Sequence, residues 1–240
     1  MGSAISLRKV EETAPALVSL YKTAAVSLDK HGLGDQRAAV YLVLDHSGSM
    51  RDYYKDGSVQ ALAERVLGLS AHLDDDGTVP IVVFSTDIDA EAEISLANHV
   101  GRVDEIVGTL GHMGRTNYHL AMDAVIDHHL AGGATAPAFV VFQTDGGPTS
   151  RLAAERYLCK AAGLPIFWQF IGFGDPRGRQ FDFLRRLDEL AVPAKRRVDN
   201  AGFFPAGRSP RRVADSTLYD RLLGEFPRWL RRARELGIVA

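Results

Sequence analysis

The run Asp45-His46-Ser47-Gly48-Ser49 sets one carboxylate and two hydroxyls on alternate residues, with Gly48 between the hydroxyls to permit a tight backbone path. Oxygen donors at this density suit a hard divalent cation of the Mg²⁺ type. Each residue alone has a plainer use, because Asp or Ser after a strand commonly caps the next helix. Asp45 could also act as a nucleophile in Mg²⁺-dependent hydrolysis or phosphoryl transfer. That reading lacks support nearby. The haloacid dehalogenase pattern needs an aspartate where Ser47 stands, no Gly-x-Ser-x-Gly surrounds either serine, and no phosphate-binding G-x-x-x-x-G-K-[ST] occurs.

The elements that must carry these donors can be read from the apolar pattern. Ala39-Val40-Tyr41-Leu42-Val43-Leu44 is a continuous apolar run, the signature of a buried parallel strand, and it delivers Asp45 to its carboxyl end. In open α/β sheets ligands bind at that end. Further strands are expected over 78–85, 138–144, 165–173 and weakly over 197–203, with a short edge strand at Ala92-Ile94-Leu96. Helices are expected over 14–31, from Val59 to Leu73, near 103–110, around Tyr118-Met122-Val125-His129, over 151–162, through Phe183-Leu187-Leu190, and as a closing basic helix over 215–236. Alternating strands and helices predict an α/β fold, with a doubly wound, mostly parallel sheet of about six strands flanked by helices on both faces. No linker or repeat divides residues 1–240, which are read as one domain with a core over about 35–205.

The D-x-S-x-S string at the end of the first strand resembles the opening of the metal-ion-dependent adhesion site of the von Willebrand factor A (vWA) domain. The family completes that site with a threonine from a later loop and an aspartate at the end of another buried strand. Thr116, in Gly114-Arg115-Thr116-Asn117, matches the threonine, and Asp145, closing the strand Ala138–Thr144, matches the aspartate. The resemblance implies a Rossmann-like fold and a metal site of Asp45, Ser47, Ser49, Thr116 and Asp145. It also implies Mg²⁺ as the ion, with Mn²⁺ or Ca²⁺ as substitutes, and a protein partner that supplies an Asp or Glu carboxylate. Two departures stand out: Gly147 precedes Pro148 where many relatives are acidic, and Arg115 precedes Thr116 where glycine is frequent. The helix before the first strand and the basic helix after the last look most like bacterial tellurium-resistance (TerF/TerY-like) A domains, and more distantly like copine. That likeness implies a non-enzymatic module in a stress-response complex.

Composition narrows the setting. No apolar stretch reaches the ~18 residues that cross a membrane, the N-terminus has no signal-peptide pattern, and Cys159 is the single cysteine. A cytoplasmic protein is the expectation, with Cys159 a buried, inert thiol. Met1-Gly2 formally fits a myristoylation pattern and is read as a chance match. His112, His119, His128 and His129 crowd one region without the spacing of a zinc site, and His46 is read as a spectator pointing away from the serines. Charge is uneven. Residues 176–240 hold 15 Lys/Arg against 8 Asp/Glu, while residues 1–175 hold 13 against 22. A basic tail suits an acidic partner, nucleic acid included, or is simply a solvated helix face.

Overall fold

A computed structural model describes residues 3–133, 135–192 and 194–240; Met1-Gly2, and with them the myristoylation pattern, lie outside it. The order of elements is α1 (Leu7–Thr13), α2 (Val18–Lys30), β1 (Ala39–Asp45), α3 (Arg51–Lys55), α4 (Ser58–Leu73), β2 (Thr78–Phe84), β3 (Ile88–Ser95) and α5 (Arg102–Gly108). There follow α6 (Tyr118–Ala131), β4 (Ala138–Thr144), α7 (Arg151–Ala161), β5 (Ile166–Phe173), α8 (Asp182–Asp188), β6 (Ala201–Gly207), α9 (Asp215–Leu223) and α10 (Phe226–Glu235). The strands form one sheet in the order β3-β2-β1-β4-β5-β6, parallel except for the antiparallel edge strand β3.

Alternation along the strands sorts side chains onto the two faces. Val40, Leu42 and Leu44 of β1 pack with Phe139 and Val141 of β4 against α2, α4, α9 and α10. Tyr41 and Val43 pack with Val140 and Phe142 against α6, α7 and α8. Both faces of β1, β4 and β5 are therefore dry, which is why these strands read as unbroken apolar runs. The same alternation puts Asp45 and Thr144, the last residues of β1 and β4, on the α6 side.

Sequence order reverses between β1 and β4, since β1 leads to β2 on one side and β4 lies on the other. The loops after these two strands diverge and leave a crevice at their carboxyl ends, the usual ligand position in doubly wound sheets. Asp45 ends β1 with Ser47 and Ser49 just beyond it, and Asp145 follows β4.

Several expected boundaries move for identifiable reasons. The helix expected over 14–31 starts late: Ala14 leaves helical geometry (φ −141°, ψ 63°), Pro15 opens a single 3₁₀ turn and α2 begins at Val18, while α1 before it was not expected. The closing helix over 215–236 is two helices, separated at Gly224-Glu225, with Pro227 in the first turn of α10 where its missing N–H costs nothing. The last strand lies at 201–207, not 197–203, because Arg196 and Asn200 before it are engaged by loop and helix carbonyls of Leu190, Asp188 and Leu158. The short helix α3 was not expected. Among the described residues no helix is long and apolar enough to cross a membrane.

Candidate metal centre

Asp45 is wholly buried. One carboxylate oxygen, Oδ1, accepts the Ser47 amide (2.8 Å), which bends the chain sharply after β1, and Oδ2 accepts the Thr144 hydroxyl (2.6 Å). The two hydroxyls that follow converge. Ser47 Oγ lies 3.3 Å from Ser49 Oγ, and the Ser49 hydroxyl donates to Asp145 Oδ1 at 3.0 Å, across 96 positions of sequence. The structure thus brings together Asp45, Ser47, Ser49 and Asp145.

Thr116 arrives on a separate loop that is fastened at three points. Gly114 forms a parallel bridge with Ser47, and its carbonyl accepts the Gly48 amide (3.3 Å). Thr116 exchanges bonds with Thr149: its amide donates to the Thr149 hydroxyl (3.2 Å) and its carbonyl accepts the Thr149 amide (2.8 Å). The β2–β3 turn holds the third point, where the Arg115 amide donates to Thr86 Oγ1 (3.0 Å) and the Asn117 side-chain amide donates to the Thr86 carbonyl (2.7 Å). The Thr116 hydroxyl itself makes no hydrogen bond among the described residues.

Gly114 is where that turn comes closest. A Cβ there would sit 2.6 Å from Thr86 Oγ1 and 2.7 Å from Ser85 Oγ, inside any tolerable contact. Gly114→Ala is expected to cost about 1–3 kcal/mol and to push the Thr116 loop away from Ser47. Thermal unfolding measures the first effect, and weakened divalent-cation uptake the second.

His46 is 4% exposed and does not face solvent. It points away from the serines, as expected of it, but is held firmly: Nδ1 lies 2.9 Å from Asp89 Oδ2, and the ring meets Tyr54 edge-on. The Ser85 hydroxyl donates to the other Asp89 oxygen (2.9 Å), so the β2–β3 turn grips the loop after β1 as well as the Thr116 loop. Thr144, Tyr118, Thr149, Thr86 and Asp89 are all supports that motif reading passed over. The cue for Thr144 was present, since it shares with Asp45 the last position of a neighbouring strand; the others act across the fold and leave no local pattern.

The electrostatics suit a cation. Burial pushes the Asp45 carboxyl up to about 7, and burial likewise raises Asp145. No cationic side chain contacts either carboxylate among the described residues. Nor does any group of three or more His, Cys, Asp or Glu converge there. Two under-compensated acids beside clustered hydroxyls fit a hard ion and oppose a zinc-type site. The histidines form no common cluster: His128 and His129 approach the Tyr41 hydroxyl (3.1 and 3.5 Å), whereas His119 lies beside Tyr157 with the rings tilted. Cys159 is only half-buried, its thiol pushed up by partial burial.

Comparison with known proteins agrees with this architecture. The manganese-loaded Plasmodium vivax TRAP protein matches 80% of this chain and 74% of its own, at 18% identity and a TM-score of 0.52. Proximal thread matrix protein 1 of the mussel byssus, in a form with a zinc-occupied MIDAS motif, matches 79% of this chain and 48% of its own, at 16% identity and TM-score 0.53. At such identities these establish the fold. An uncharacterised protein of Bacillus subtilis (strain 168), YcbR, is 36% identical over 222 residues, 91% of this chain and 88% of its own. The vWA-TerF-like family, described as the vWA domain found in the TerF C terminus, matches residues 37–239. The chain therefore belongs to the vWA-TerF-like family.

Proposed function

We propose that this chain is a non-catalytic protein-binding module whose contact depends on a divalent cation held by Asp45, Ser47, Ser49, Thr116 and Asp145. The observation that supports this most is the Ser47–Ser49–Asp145 oxygen chain (3.3 and 3.0 Å) at the reversal point of the sheet, with Asp45 buried behind it. Mg²⁺ is the proposed ion and Mn²⁺ or Ca²⁺ its substitutes. Such an ion, held largely by neutral hydroxyls, supplies unspent positive charge to an incoming oxygen anion. The chain's own groups do the rest. Ser47 and Ser49 offer hydroxyl oxygens, Asp45 and Asp145 offer the negative charge, and the unpartnered Thr116 hydroxyl stands ready on a loop fixed at both ends. A partner's Asp or Glu completes the set.

Isothermal titration of Mg²⁺, Mn²⁺ and Ca²⁺ tests the site. The Ser47→Ala/Ser49→Ala protein is expected to lose uptake by at least tenfold while keeping its fold. Equal uptake by both proteins overturns the assignment. A phosphatase and esterase panel run with Mg²⁺ tests the absence of catalysis, because turnover abolished by Asp45→Asn would require an enzyme. We further propose a cytoplasmic setting, one domain over the whole chain, and a place in a tellurium- or chemical-stress complex, in line with the TerF name of the family. A cation-dependent pull-down from the source cell checks that placement.

A further inference from the structure

The basic tail separates in three dimensions into two populations. Arginines on its helical surfaces are mostly paired: Arg228 with Asp199 and Glu225, Arg232 with Glu235, and Arg185 with Asp182. The loops after β5 and β6, over 174–180 and 208–213, are different. They carry five arginines against a single acid, Asp175, and all five are exposed. Among the described residues, the side chains of Arg177, Arg179 and Arg212 have no hydrogen-bond or ion-pair partner.

These loops sit at the carboxyl ends of their strands, the same end of the sheet as Ser49 and Asp145. A hollow of about 420 Å³ connects the two regions, bounded by Ser49 and Asp145 at one end and by Gly174, Gln180 and Arg208 at the other. Tyr53 forms part of its wall, packed on Phe173 with ring centroids 5.3 Å apart. A second hollow shares Asp56 with the first and is lined by Ser209, Arg211 and Arg212.

Three acids interrupt this surface, and two of them are already engaged. Asp175 accepts the Arg177 amide (3.0 Å) and the Arg208 guanidinium (2.9 Å). Asp56 accepts the Ser58 amide (2.8 Å) at the start of α4, and its carbonyl is held by Arg211. Asp52 alone has no partner among the described residues. The opposite rim carries Asp87 of the β2–β3 turn, Asp89 at the start of β3, and Arg115 of the Thr116 loop, whose amide bonds to Thr86. The mouth is therefore lopsided, with five arginines on the β5–β6 side against Arg115 on the opposite rim.

We propose that the partner is an acidic peptide segment that leaves the cation site toward β6 and lays its further carboxylates along Arg208, Arg211, Arg212 and the loop carrying Arg177 and Arg179. This rests on the cation-site reading above and adds a direction and a second set of contacts to it. Bare phosphate backbone is the poorer occupant, because Asp52 and Asp56 in the hollow would stand against a uniform chain of anions, whereas a peptide spaces its charges. Surface contacts of this kind are individually weak and screened by salt, so their joint effect is read at low ionic strength.

The test uses fluorescein-labelled Gly/Ser peptides and anisotropy with excess Mg²⁺. One peptide carries a single glutamate, one carries that glutamate followed by three more, and one carries it followed by three lysines. The glutamate-flanked peptide is expected to bind about tenfold tighter than the single-glutamate peptide, and the lysine-flanked peptide weaker than either. Arg177→Glu/Arg212→Glu, which removes no contact of the fold, should erase that advantage while Mg²⁺ titration stays unchanged. Arg177→Gln/Arg212→Gln should fall between. Equal binding of the two flanked peptides, or an advantage that survives charge reversal, overturns this inference and leaves the cation site standing. Glutamate-peptide binding that ignores both EDTA and Ser47→Ala/Ser49→Ala refutes the shared cation site and with it the two-point mode. Displacement of the peptide by a single-stranded oligonucleotide at lower concentration, metal or no metal, overturns the peptide in favour of nucleic acid.

Discussion

Asp45→Asn is expected to stabilise the cation-free protein at neutral and alkaline pH while abolishing its response to divalent ions. The buried Asp45 carboxyl is raised to about 7, from an ordinary value of 3.8. A carboxyl whose folded value lies above its unfolded one binds a proton more readily in the native state. Between those two values the native state therefore holds more protons, and stability falls as pH rises through the window. Below about pH 4 both states are protonated and the group contributes nothing to the pH dependence. Above about pH 7 the full penalty is present, and a shift of this size corresponds to about 4 kcal/mol as an upper bound. Asparagine keeps the geometry: its carbonyl can accept the Ser47 amide that Oδ1 now accepts, and its amide can donate to the Thr144 hydroxyl. It carries no charge to lose. Chemical denaturation of wild type and variant from pH 4 to pH 8 measures the difference directly. The two curves should coincide at low pH and diverge upward for the variant. Added Mg²⁺ should raise the wild-type curve at pH 8 and leave the variant unmoved. A variant less stable than wild type across the whole range would mean that the Asp45 carboxylate is satisfied without a cation.

Tyr118→Ala should be among the most destabilising single changes, at about 3–5 kcal/mol. Tyr118 begins α6 immediately after the Thr116-Asn117 loop, is 0% exposed, and packs against Phe84, Phe142, Phe170 and Phe183. Its hydroxyl lies 3.1 Å from Thr144 Oγ1 and also meets the Gly146 carbonyl. One residue therefore joins the aromatic core, the Asp45–Thr144 pair and the turn that aims Asp145. Tyr118→Phe separates these roles. The ring and its packing stay, while a buried carbonyl and a buried hydroxyl lose a partner, a cost of about 1–3 kcal/mol. Urea denaturation should rank wild type above Phe above Ala. Cation titration should already show weakening in the Phe variant, since the Gly146 turn is then free to relax. Unchanged cation affinity in Tyr118→Phe would show that the Asp145 turn is fixed by Thr149 and Thr116 alone.

The sequence by itself determined the sheet and singled out the candidate donors. Val40 through Leu44 and Phe139 through Phe142 are apolar on every residue, and Phe167 through Ile171 on every residue but Gln169, as strands covered on both faces demand. The alternation of strands and helices then leaves a parallel doubly wound sheet as the natural solution. The spacing of Asp45, Ser47 and Ser49 is local, so it was legible without coordinates, and likeness of pattern carried Thr116 and Asp145.

Tertiary structure decided what depends on distant partners. The closing helix failed where the apolar period ran on through Gly224 and Pro227, because periodicity reports a buried face and not a break in the backbone. His46 could be read as pointing away from the serines, but its bond to Asp89 comes from the start of β3, 43 residues on. The Thr86 and Thr149 fastenings of the Thr116 loop likewise join segments that only the β1/β4 reversal brings together. The uneven charge of the chain was visible as a sum. That five exposed arginines, three of them unpartnered among the described residues, gather beside Ser49 and Asp145 follows from which loops share the carboxyl end of the sheet, and charge counted along a chain contains no such geometry.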